Sequence, residues 1–426
     1  MLIEFSVSNF RSFRERQTLS MVAAPRLRKT ENTLPAPTTS EKFPDLLRVA
    51  AVYGPNAAGK SNLVHALYAI GELADREPSA QPSPLPASPF RFDAILRDSP
   101  SRFEIHFIEN GMRYSMEVAT TPERIVEERL TAHPRGKAQL LYQRRRSGDV
   151  EAYEFGPGLE GGADLHETWR KATAPDVLFL SRAVANSNEE LEQLRHPLRW
   201  LTRTLDVVLS GSMSVWQRSV QSMLAKHPLL ADDVVSLLRD IDVPITHIRT
   251  DLLEPADVDN VTATALPKTL GALAAMRSAP RRKTTLTHKT ALGTAEFDFA
   301  EESEGTKNLI GFSLPWGLLQ ATPSPYSTDV LIVDEFDSSL HPSIVAALVK
   351  RHIEGKQAKQ LIFTTHDTHL MDAKVLRRDQ IWIVERDSNG ASQLYSIHDF
   401  KGRSEEDIEK RYFEGRYRGL PVLRGR

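Results

Sequence analysis

One segment constrains the fold of this chain more than any other feature. It fits the phosphate-loop pattern G-x-x-x-x-G-K-S/T at every fixed position, and its members are Gly54, Pro55, Asn56, Ala57, Ala58, Gly59, Lys60, Ser61 and Asn62. The glycines let the backbone turn so that its N–H groups face a phosphate; the lysine adds a charge, and the serine hydroxyl can bind Mg²⁺. The apolar stretch 48–53 predicts a strand before the loop, and the spacing of Leu63, Leu67 and Ile70 predicts a helix after it. The sequence therefore predicts a nucleoside triphosphate site.

The composition excludes several classes of protein. The chain has 426 residues, 40% of them hydrophobic and 26% charged, as in a globular protein with two or three domain-sized units. A net charge of −2 gives no overall attraction to nucleic acid. The absence of cysteine excludes disulfides, thiolate metal sites and cysteine nucleophiles. The segment 1–7 alternates like a strand, and no apolar run reaches the roughly 18 residues of a membrane span, so we expect a cytoplasmic location without membrane contact.

The patterns along the chain predict three parts. Residues 1–180 combine the phosphate loop with alternating stretches between about 90 and 155 that predict a β-rich subdomain. Residues 181–280 form a predicted helical insert, because leucines recur at helical spacing between 186 and 240. Residues 281–426 alternate strands and helices, which implies parallel pairing. The predicted fold class is α/β, with a mixed sheet around a parallel core.

A strand ending in two acids follows the phosphate loop in this scheme. The apolar run 329–333 is typical of a buried strand in a parallel sheet, and it ends at Asp334 and Glu335. Ligands gather at the carboxyl ends of such strands, where Asp334 can hold Mg²⁺ through water and Glu335 can polarise an attacking water. Taken alone, the pair could equally cap a strand, but the upstream phosphate loop favours the catalytic interpretation.

Two further segments carry candidate site residues. The strand 360–365 ends at His366, which can donate a hydrogen bond to a γ-phosphate or simply lie at the surface. Ser303 can cap a helix, and Gly305 and Thr306 follow in its first turn. Such a helix start is an anion site, and since the chain already has a phosphate loop, it would complete the site of a second subunit. A plain helix cap is the alternative.

The order of these motifs resembles the ABC-type ATPase heads of the RecF, SMC and OLD branch. The nearest resemblance is to the RloA-like group of bacterial AAA-family ATPases, linked to phage defence and abortive infection. The segment 9–13, Asn-Phe-Arg-Ser-Phe, and the tail segments 376–386 and 409–417 are also similar to that group. The resemblance covers both ends and most of the chain, and leaves the insert uninformative.

The resemblance implies a role for each candidate residue. It implies that 54–62 bind the phosphates of ATP, that Ser61 and Asp334 hold Mg²⁺, and that Glu335 is the hydrolytic base. It also implies that His366 is the γ-phosphate switch, and that Ser303, Gly305 and Thr306 reach the ATP of the opposite subunit. Ser338 and Ser339 would occupy the loop that couples the two sites. Two features depart from the pattern: the Q-loop glutamine has only Gln139 and Gln143 as candidates, and His341 stands where transporters have aspartate.

Three functions remain open at this point. The resemblance implies an ATP-dependent homodimer, or a higher even oligomer, that controls a separate effector protein in anti-phage defence. The alternative is a RecF- or SMC-like DNA-binding ATPase in DNA repair or recombination, with nucleic-acid contacts from the basic runs 144–146, 281–283 and 26–29. A kinase or GTPase is disfavoured, since no guanine-reading motif occurs. The helices of 186–240 and the proline-rich loop 78–89 are candidates for a partner surface, or the helices merely cover the sheet.

Overall fold

Continuous apolar runs and alternating runs form different sheets. The computed structural model describes residues 1–39, 41–79, 83–188, 190–241, 243–252, 282–322, 328–338, 340–402 and 407–420. The strands are β1 Leu2–Ser8, β2 Gln17–Ser20, β3 Thr33–Leu34, β4 Leu46–Leu47, β5 Val49–Tyr53, β6 Ser101–Glu109, β7 Met112–Thr120, β8 Ile125–Ala132, β9 Gln139–Ser147, β10 Val150–Phe155, β11 Leu205–Val208, β12 Ile245–Leu252, β13 Arg282–Thr290, β14 Gly293–Asp298, β15 Val330–Val333, β16 Gln360–Thr364, β17 Ile381–Arg386 and β18 Ser392–Ser396.

The helices occur along the whole of the described chain. They are α1 Lys60–Ala74, α2 Ala94–Arg97, α3 Gly162–Ala172, α4 Phe179–Ala185, α5 Arg195–Arg199, α6 Met213–Leu224, α7 Pro228–Asp240, α8 Glu304–Gln320, α9 Pro342–Glu354 and α10 Ile408–Phe413. A π-helical turn, Trp200–Thr204, continues α5.

The six-stranded sheet carries the phosphate-loop strand at its centre. Its order is β11-β15-β16-β5-β17-β18, and every neighbouring pair is parallel except β17 with β18. Every residue of β5, β15 and β16 is buried, as expected for strands covered on both faces. The predicted α/β class with a parallel core is confirmed.

The seven-stranded sheet is antiparallel and has the order β10-β9-β8-β7-β6-β1-β2. It joins the first strands of the chain to the strands of the region 101–155, where the alternating pattern predicts β structure. A small sheet of β12, β13 and β14 contains the two strands predicted after residue 280.

Two apolar cores lie on opposite faces of the parallel sheet. Ala50 and Val52 of β5 belong to a core shared with α1 and the antiparallel sheet. Val49 and Ala51 belong to a second core, shared with α6, α7, α8 and α9. Successive strand side chains point to opposite faces, so β5 is held from both sides and its carboxyl end is fixed.

The predicted insert contains an element that its leucine periodicity conceals. Helices α5, α6 and α7 are present as expected, but β11 lies among them and pairs in parallel with β15, placing Asp206 opposite Leu331. The strand has four residues, and the apolar spacing of the preceding helix runs directly into it, so its sequence alone gives no strand signal. Residues 253–280 of the insert lie outside the described residues, and the three-part division stays a prediction.

Candidate nucleotide site

The phosphate loop has a conformation that requires its first glycine. Gly54 has φ of +144°, and a Cβ atom there would lie 2.1 Å from the carbonyl oxygen of Val384 in β17. Gly59 has φ of +114° and precedes the first residue of α1. Ala57 also has a positive φ, of 61°. The sequence motif therefore specifies a strained turn between the centre of a sheet and a helix N-terminus.

Lys60 points back into this turn. Its ammonium donates hydrogen bonds to the carbonyl oxygens of Gly54 at 2.8 Å and Pro55 at 3.3 Å. Burial lowers the pKa of Lys60, while the carboxylates of Asp334, Asp337 and Glu335 oppose that shift. The positive charge is thus held by the loop itself, next to the acids at the end of β15, where it can meet a phosphate.

The segment 9–13 packs directly against the phosphate loop. Ser12 Oγ accepts a hydrogen bond from the side-chain amide of Asn62 at 2.7 Å and lies 2.7 Å from Ser392 Oγ. Ser392 contacts the carbonyl of Ala58, and a Cβ on Gly59 would collide with it at 2.1 Å. No sequence motif predicted the role of Ser392, which begins a hairpin strand.

The two acids after β15 share one anchor. Thr364 Oγ1 donates to Asp334 Oδ1 at 2.7 Å and accepts from the backbone N–H of Glu335 at 2.7 Å. Asp334 is 3% exposed, and its second oxygen has no hydrogen-bond partner among the described residues. Glu335 has φ of +53°, a conformation that non-glycine residues rarely adopt. Backbone strain of this kind concentrates at functional sites.

His366 lies at the end of the neighbouring strand. Its backbone N–H donates to Asp337 Oδ2 at 3.1 Å. Burial lowers the pKa of His366, and the nearby Lys60 charge lowers it further, against the pull of Asp337, Glu335 and Asp334. The imidazole is therefore neutral at neutral pH and has one N–H to donate.

A cavity of about 740 Å³ brings most of the predicted site residues together. Residues 56–62 line it together with Glu335 and His366. Gly54 and Pro55 line a second cavity of about 780 Å³, which shares His366 and several loop residues with the first. Residues more than 270 positions apart in sequence thus face one space, with a lysine, a carboxylate and an imidazole around it.

Ser303 caps its helix as predicted but lies elsewhere. Its Oγ accepts a hydrogen bond from the backbone of Thr306 at 3.1 Å, and the side chain is exposed at the start of α8. Among the described residues that line the 740 Å³ cavity, none comes from 303–306. Ser303, Gly305 and Thr306 therefore do not meet the phosphate loop of their own chain, and their action on a second subunit stays a prediction.

Comparison with known proteins identifies the family. Residues 49–372 match the family model described as "AAA domain, putative AbiEii toxin, Type IV TA system". This segment is more than half of the chain. The chain belongs to this AAA-domain family. The matched residues 49–372 include the phosphate loop, the two acids after β15 and His366. The lysine, carboxylate and imidazole that line the cavity therefore all lie within the matched segment.

More distant likenesses exist among known structures. An SMC head bound to the C-winged helix domain of ScpA is 15% identical, with a TM-score of 0.46, and covers 93% of this chain and 97% of that one. An SMC head domain from Thermotoga maritima is 14% identical, with a TM-score of 0.41 and coverages of 93% and 98%. An SMC head with an extended coiled coil, bound to a ScpA domain derived from Pyrococcus furiosus, is 12% identical, with a TM-score of 0.44 and coverages of 93% and 97%. No curated protein matches significantly. At these scores the likenesses carry no argument about activity.

Several other candidate residues of this AAA-domain protein lie away from the cavity. Arg144 of the basic run 144–146 is fully buried, and it donates to Glu151 Oε1 at 3.0 Å and to the carbonyl of Val177 at 2.9 Å. Because Arg144 is buried and paired inside the antiparallel sheet region, it cannot contact nucleic acid. Arg145 is exposed but pairs with Glu127 at 2.9 Å, and Arg281 lies outside the described residues.

The remaining motif residues have structural surroundings of their own. Gln139 and Gln143 belong to β9 of the antiparallel sheet and do not line the 740 Å³ cavity, so neither is a Q-loop residue in this conformation. His341 caps α9 by accepting a hydrogen bond from the backbone of Ser343 at 3.2 Å. The N–H of Ser338 donates to the carbonyl of Glu335 at 2.8 Å, and Ser339 lies outside the described residues. Within the described part of the chain, no helix has the length and apolar character of a membrane span.

Proposed function

We propose that this protein is an ATP-hydrolysing switch of the ABC-head type, which dimerises around ATP and controls a separate effector protein in anti-phage defence. The proposal rests on one observation above all. Thr364 fixes Asp334 and Glu335 with a single hydroxyl, at the edge of a cavity that the phosphate loop also lines. A structural strand end has no need for such an arrangement, whereas hydrolysis needs a magnesium ligand and a base in fixed places.

Asp334 fits a magnesium ion in this assignment. One of its oxygens is buried without a partner among the described residues, and a hard oxygen ligand of this kind suits Mg²⁺. Among those residues, no group of three or more acids and imidazoles is arranged for a metal. Mg²⁺ typically binds one or two protein groups together with phosphate oxygens, so Ser61 and Asp334 would hold it. The ion would neutralise charge on the β- and γ-phosphates.

The side chains of the chain itself perform the remaining tasks. The loop amides and Lys60 bind and orient the triphosphate. Glu335 accepts a proton from the attacking water, and the neutral His366 donates a hydrogen bond to the γ-phosphate. A second subunit would present Ser303 and Gly305 to the same ATP. Because ATP would then bind the dimer better than the monomer, hydrolysis would shift the equilibrium back toward the monomer.

The defence role draws on the family. Its description names a toxin of a type IV toxin–antitoxin system, and the motif order resembles that of the RloA-like ATPases. The repair alternative receives less support, because Arg144 is buried and Arg145 is already paired.

The test uses a variant that binds ATP but does not hydrolyse it. We expect Glu335→Gln to release phosphate about a hundredfold or more slowly than the wild type, since general-base catalysis contributes ~10²–10⁴. Its affinity for ATP should be retained, and ATP should double its molar mass in light scattering. Lys60→Ala, which should not bind ATP, is the control. Unchanged turnover in Glu335→Gln would refute the hydrolysis assignment.

The effector is sought with the same two variants. Tagged Glu335→Gln with ATP and Lys60→Ala are used to isolate bound material from the native host. A stoichiometric protein partner bound to the first variant alone supports the defence switch. Nuclease-sensitive nucleic acid without such a partner supports the repair clamp instead.

A further inference from the structure

An exposed aromatic ring lines the nucleotide cavity. Phe92 is 81% exposed, yet it lines the same 740 Å³ space as Lys60 and Ser61. Nothing in the phosphate-loop chemistry uses this residue. Burying a large apolar side chain that is exposed to water lowers the free energy. The ring of Phe92 therefore offers a favourable contact surface to a ligand in this cavity.

The loop that carries Phe92 is fixed on both sides of it. Phe90 is buried and donates its backbone N–H to Asn9 Oδ1 at 2.9 Å. Asp93 forms an ion pair with Arg14 at 2.8 Å. The rings of Phe90 and Phe92 meet at an angle of 63°, with their centroids 5.6 Å apart. The chain is therefore anchored on both sides of the exposed ring.

A second loop supports the ring from the side. Gly390 lies in the turn between β17 and β18 with φ of +79°, and a Cβ atom there would lie 3.3 Å from Phe92 Cε2. A side chain at this position would require the ring to shift by a few tenths of an ångström. The turn at Gly390 therefore lies beside one edge of the Phe92 ring.

Two arginines also line this cavity. Arg91 and Arg386 are exposed and line the same space as Phe92. Neither guanidinium forms a hydrogen bond or ion pair with the described residues. The cavity therefore combines the phosphate loop and Lys60 with one exposed aromatic face and two guanidinium groups that are unpaired among the described residues. A nucleotide offers matching groups, an anionic phosphate chain and a flat aromatic base.

We propose that the base of the bound nucleotide stacks on Phe92. The inference deepens the proposed function and rests on it, because it concerns the same ligand. The ligand class is a nucleoside triphosphate with any large aromatic base, since stacking uses the π face that all bases share. The ring therefore contributes affinity without strong discrimination between ATP and GTP.

The experiment separates the base from the phosphates. Binding of ATP, GTP and inorganic tripolyphosphate is measured by titration calorimetry on the full chain and on Phe92→Leu. Loss of the stacking contact with one base costs ~1–3 kcal/mol. Because the base would stack on a single aromatic ring, we expect a loss at the low end of this range, so that ATP and GTP bind about 5- to 10-fold more weakly to Phe92→Leu. The affinity for tripolyphosphate should not change. Ile95→Ala is the matched control, because Ile95 is 80% exposed on the same segment but does not line the cavity.

A second variant distinguishes loss of stacking from a general loss of folding. Phe92→Trp retains a stacking face, so it should bind ATP at least as well as the wild type, and its fluorescence should fall with ATP and not with tripolyphosphate. Wild-type ATP affinity in Phe92→Leu, or an equal loss of tripolyphosphate, would overturn the inference while leaving the nucleotide site intact. If both Phe92→Leu and Ile95→Ala changed the molar mass of the protein and left ATP binding unaltered, the proposal would be wrong. Phe92 would then contact another protein chain. If the wild type binds no ATP, the proposed function fails, and this inference fails with it.

Discussion

Thr364 holds both acids of the candidate site with one hydroxyl. It donates to Asp334 and accepts from the backbone of Glu335, each at 2.7 Å. The residue is 1% exposed and ends the strand next to β15. Its role was not predicted from the sequence, since the link depends on which strands are neighbours, and a single threonine in an apolar run gives no signal for that.

Removal of this hydroxyl should reduce turnover more than binding. In Thr364→Val, we expect the rate of phosphate release to fall at least tenfold, because Glu335 loses the contact that fixes its backbone. The free energy of unfolding should fall by about 1–3 kcal/mol, since a buried carboxylate oxygen loses its donor. Turnover assays and urea unfolding measure the two effects. Thr364→Ser, which keeps the hydroxyl, is the control, and equal turnover in both variants would contradict the assignment.

Gly54, the first glycine of the phosphate loop, should not tolerate a side chain. A methyl group on Gly54 would lie 2.1 Å from the Val384 carbonyl, in addition to the cost of its φ of +144°. We expect Gly54→Ala to abolish ATP binding and to lower the melting temperature. Gly317→Ala is the matched control, because Gly317 lies within α8 with open space around it. That change should leave ATP binding unaltered and stabilise the helix by up to about 1 kcal/mol. Calorimetric titration and thermal unfolding distinguish the two glycines.

At the scale of elements, local patterns predicted the strands and helices that have a clear period. The strand–loop–helix unit of β5 and α1, the alternating strands β6 to β10, and the strands that end at Asp334 and His366 all follow from spacing and composition. Strand β11 does not, because its four residues follow a helix without a break. The contacts of Ser392 and Phe92 with the site also come from long-range packing, which a sequence pattern does not encode.

Asp206 in strand β11 leads to a prediction about the pH dependence of stability. Asp206 is 2% exposed, and neither of its oxygens has a hydrogen-bond partner among the described residues. Burial raises the pKa of Asp206 to about 7, against a smaller opposing effect of the nearby Val207 backbone N–H. Between the ordinary carboxyl pKa and this value, the unfolded chain binds fewer protons than the folded one at this residue. Stability therefore falls as the pH rises through that window and levels off above it.

Asp206→Asn should remove this dependence. The free energy of unfolding of the variant, relative to the wild type, should rise between about pH 4 and about pH 8 by up to about 4 kcal/mol, as three pKa units imply. Urea unfolding of both proteins across the range measures the difference, and other titrating groups cancel. A difference that stays constant with pH would show that Asp206 is ionised in the folded protein.

At the scale of the whole molecule, the exposed start of α8 bears on assembly. Ser303 lies outside the cavity of its own chain, so a role in hydrolysis requires a second copy. Ser303→Asp retains a good N-cap, so the helix should stay stable, but its charge should repel a triphosphate. We expect turnover to be lost while monomeric ATP binding is kept. Ser303→Asn, a neutral cap of similar size, controls for packing.

Mixing two inactive variants tests action between subunits. Ser303→Asp has an intact phosphate loop, and Lys60→Ala has an intact start of α8. A heterodimer of the two contains one complete site, so phosphate release should reappear in the mixture. If neither variant nor any mixture has turnover, Ser303 does not act on a partner's ATP.

The contacts of the phosphate loop also bear on how the chain is made. The strand before the loop is flanked by β16 and β17, and the loop touches Ser12 and Ser392, so its neighbours come from both ends of the chain. During synthesis, residues 54–62 leave the ribosome long before their partners at 360–392. The nascent chain therefore cannot complete the surroundings of this loop until residue 392 has been translated, and contacts of such long range form slowly. A chain whose synthesis stops before that residue lacks the contact between Ser392 and the loop.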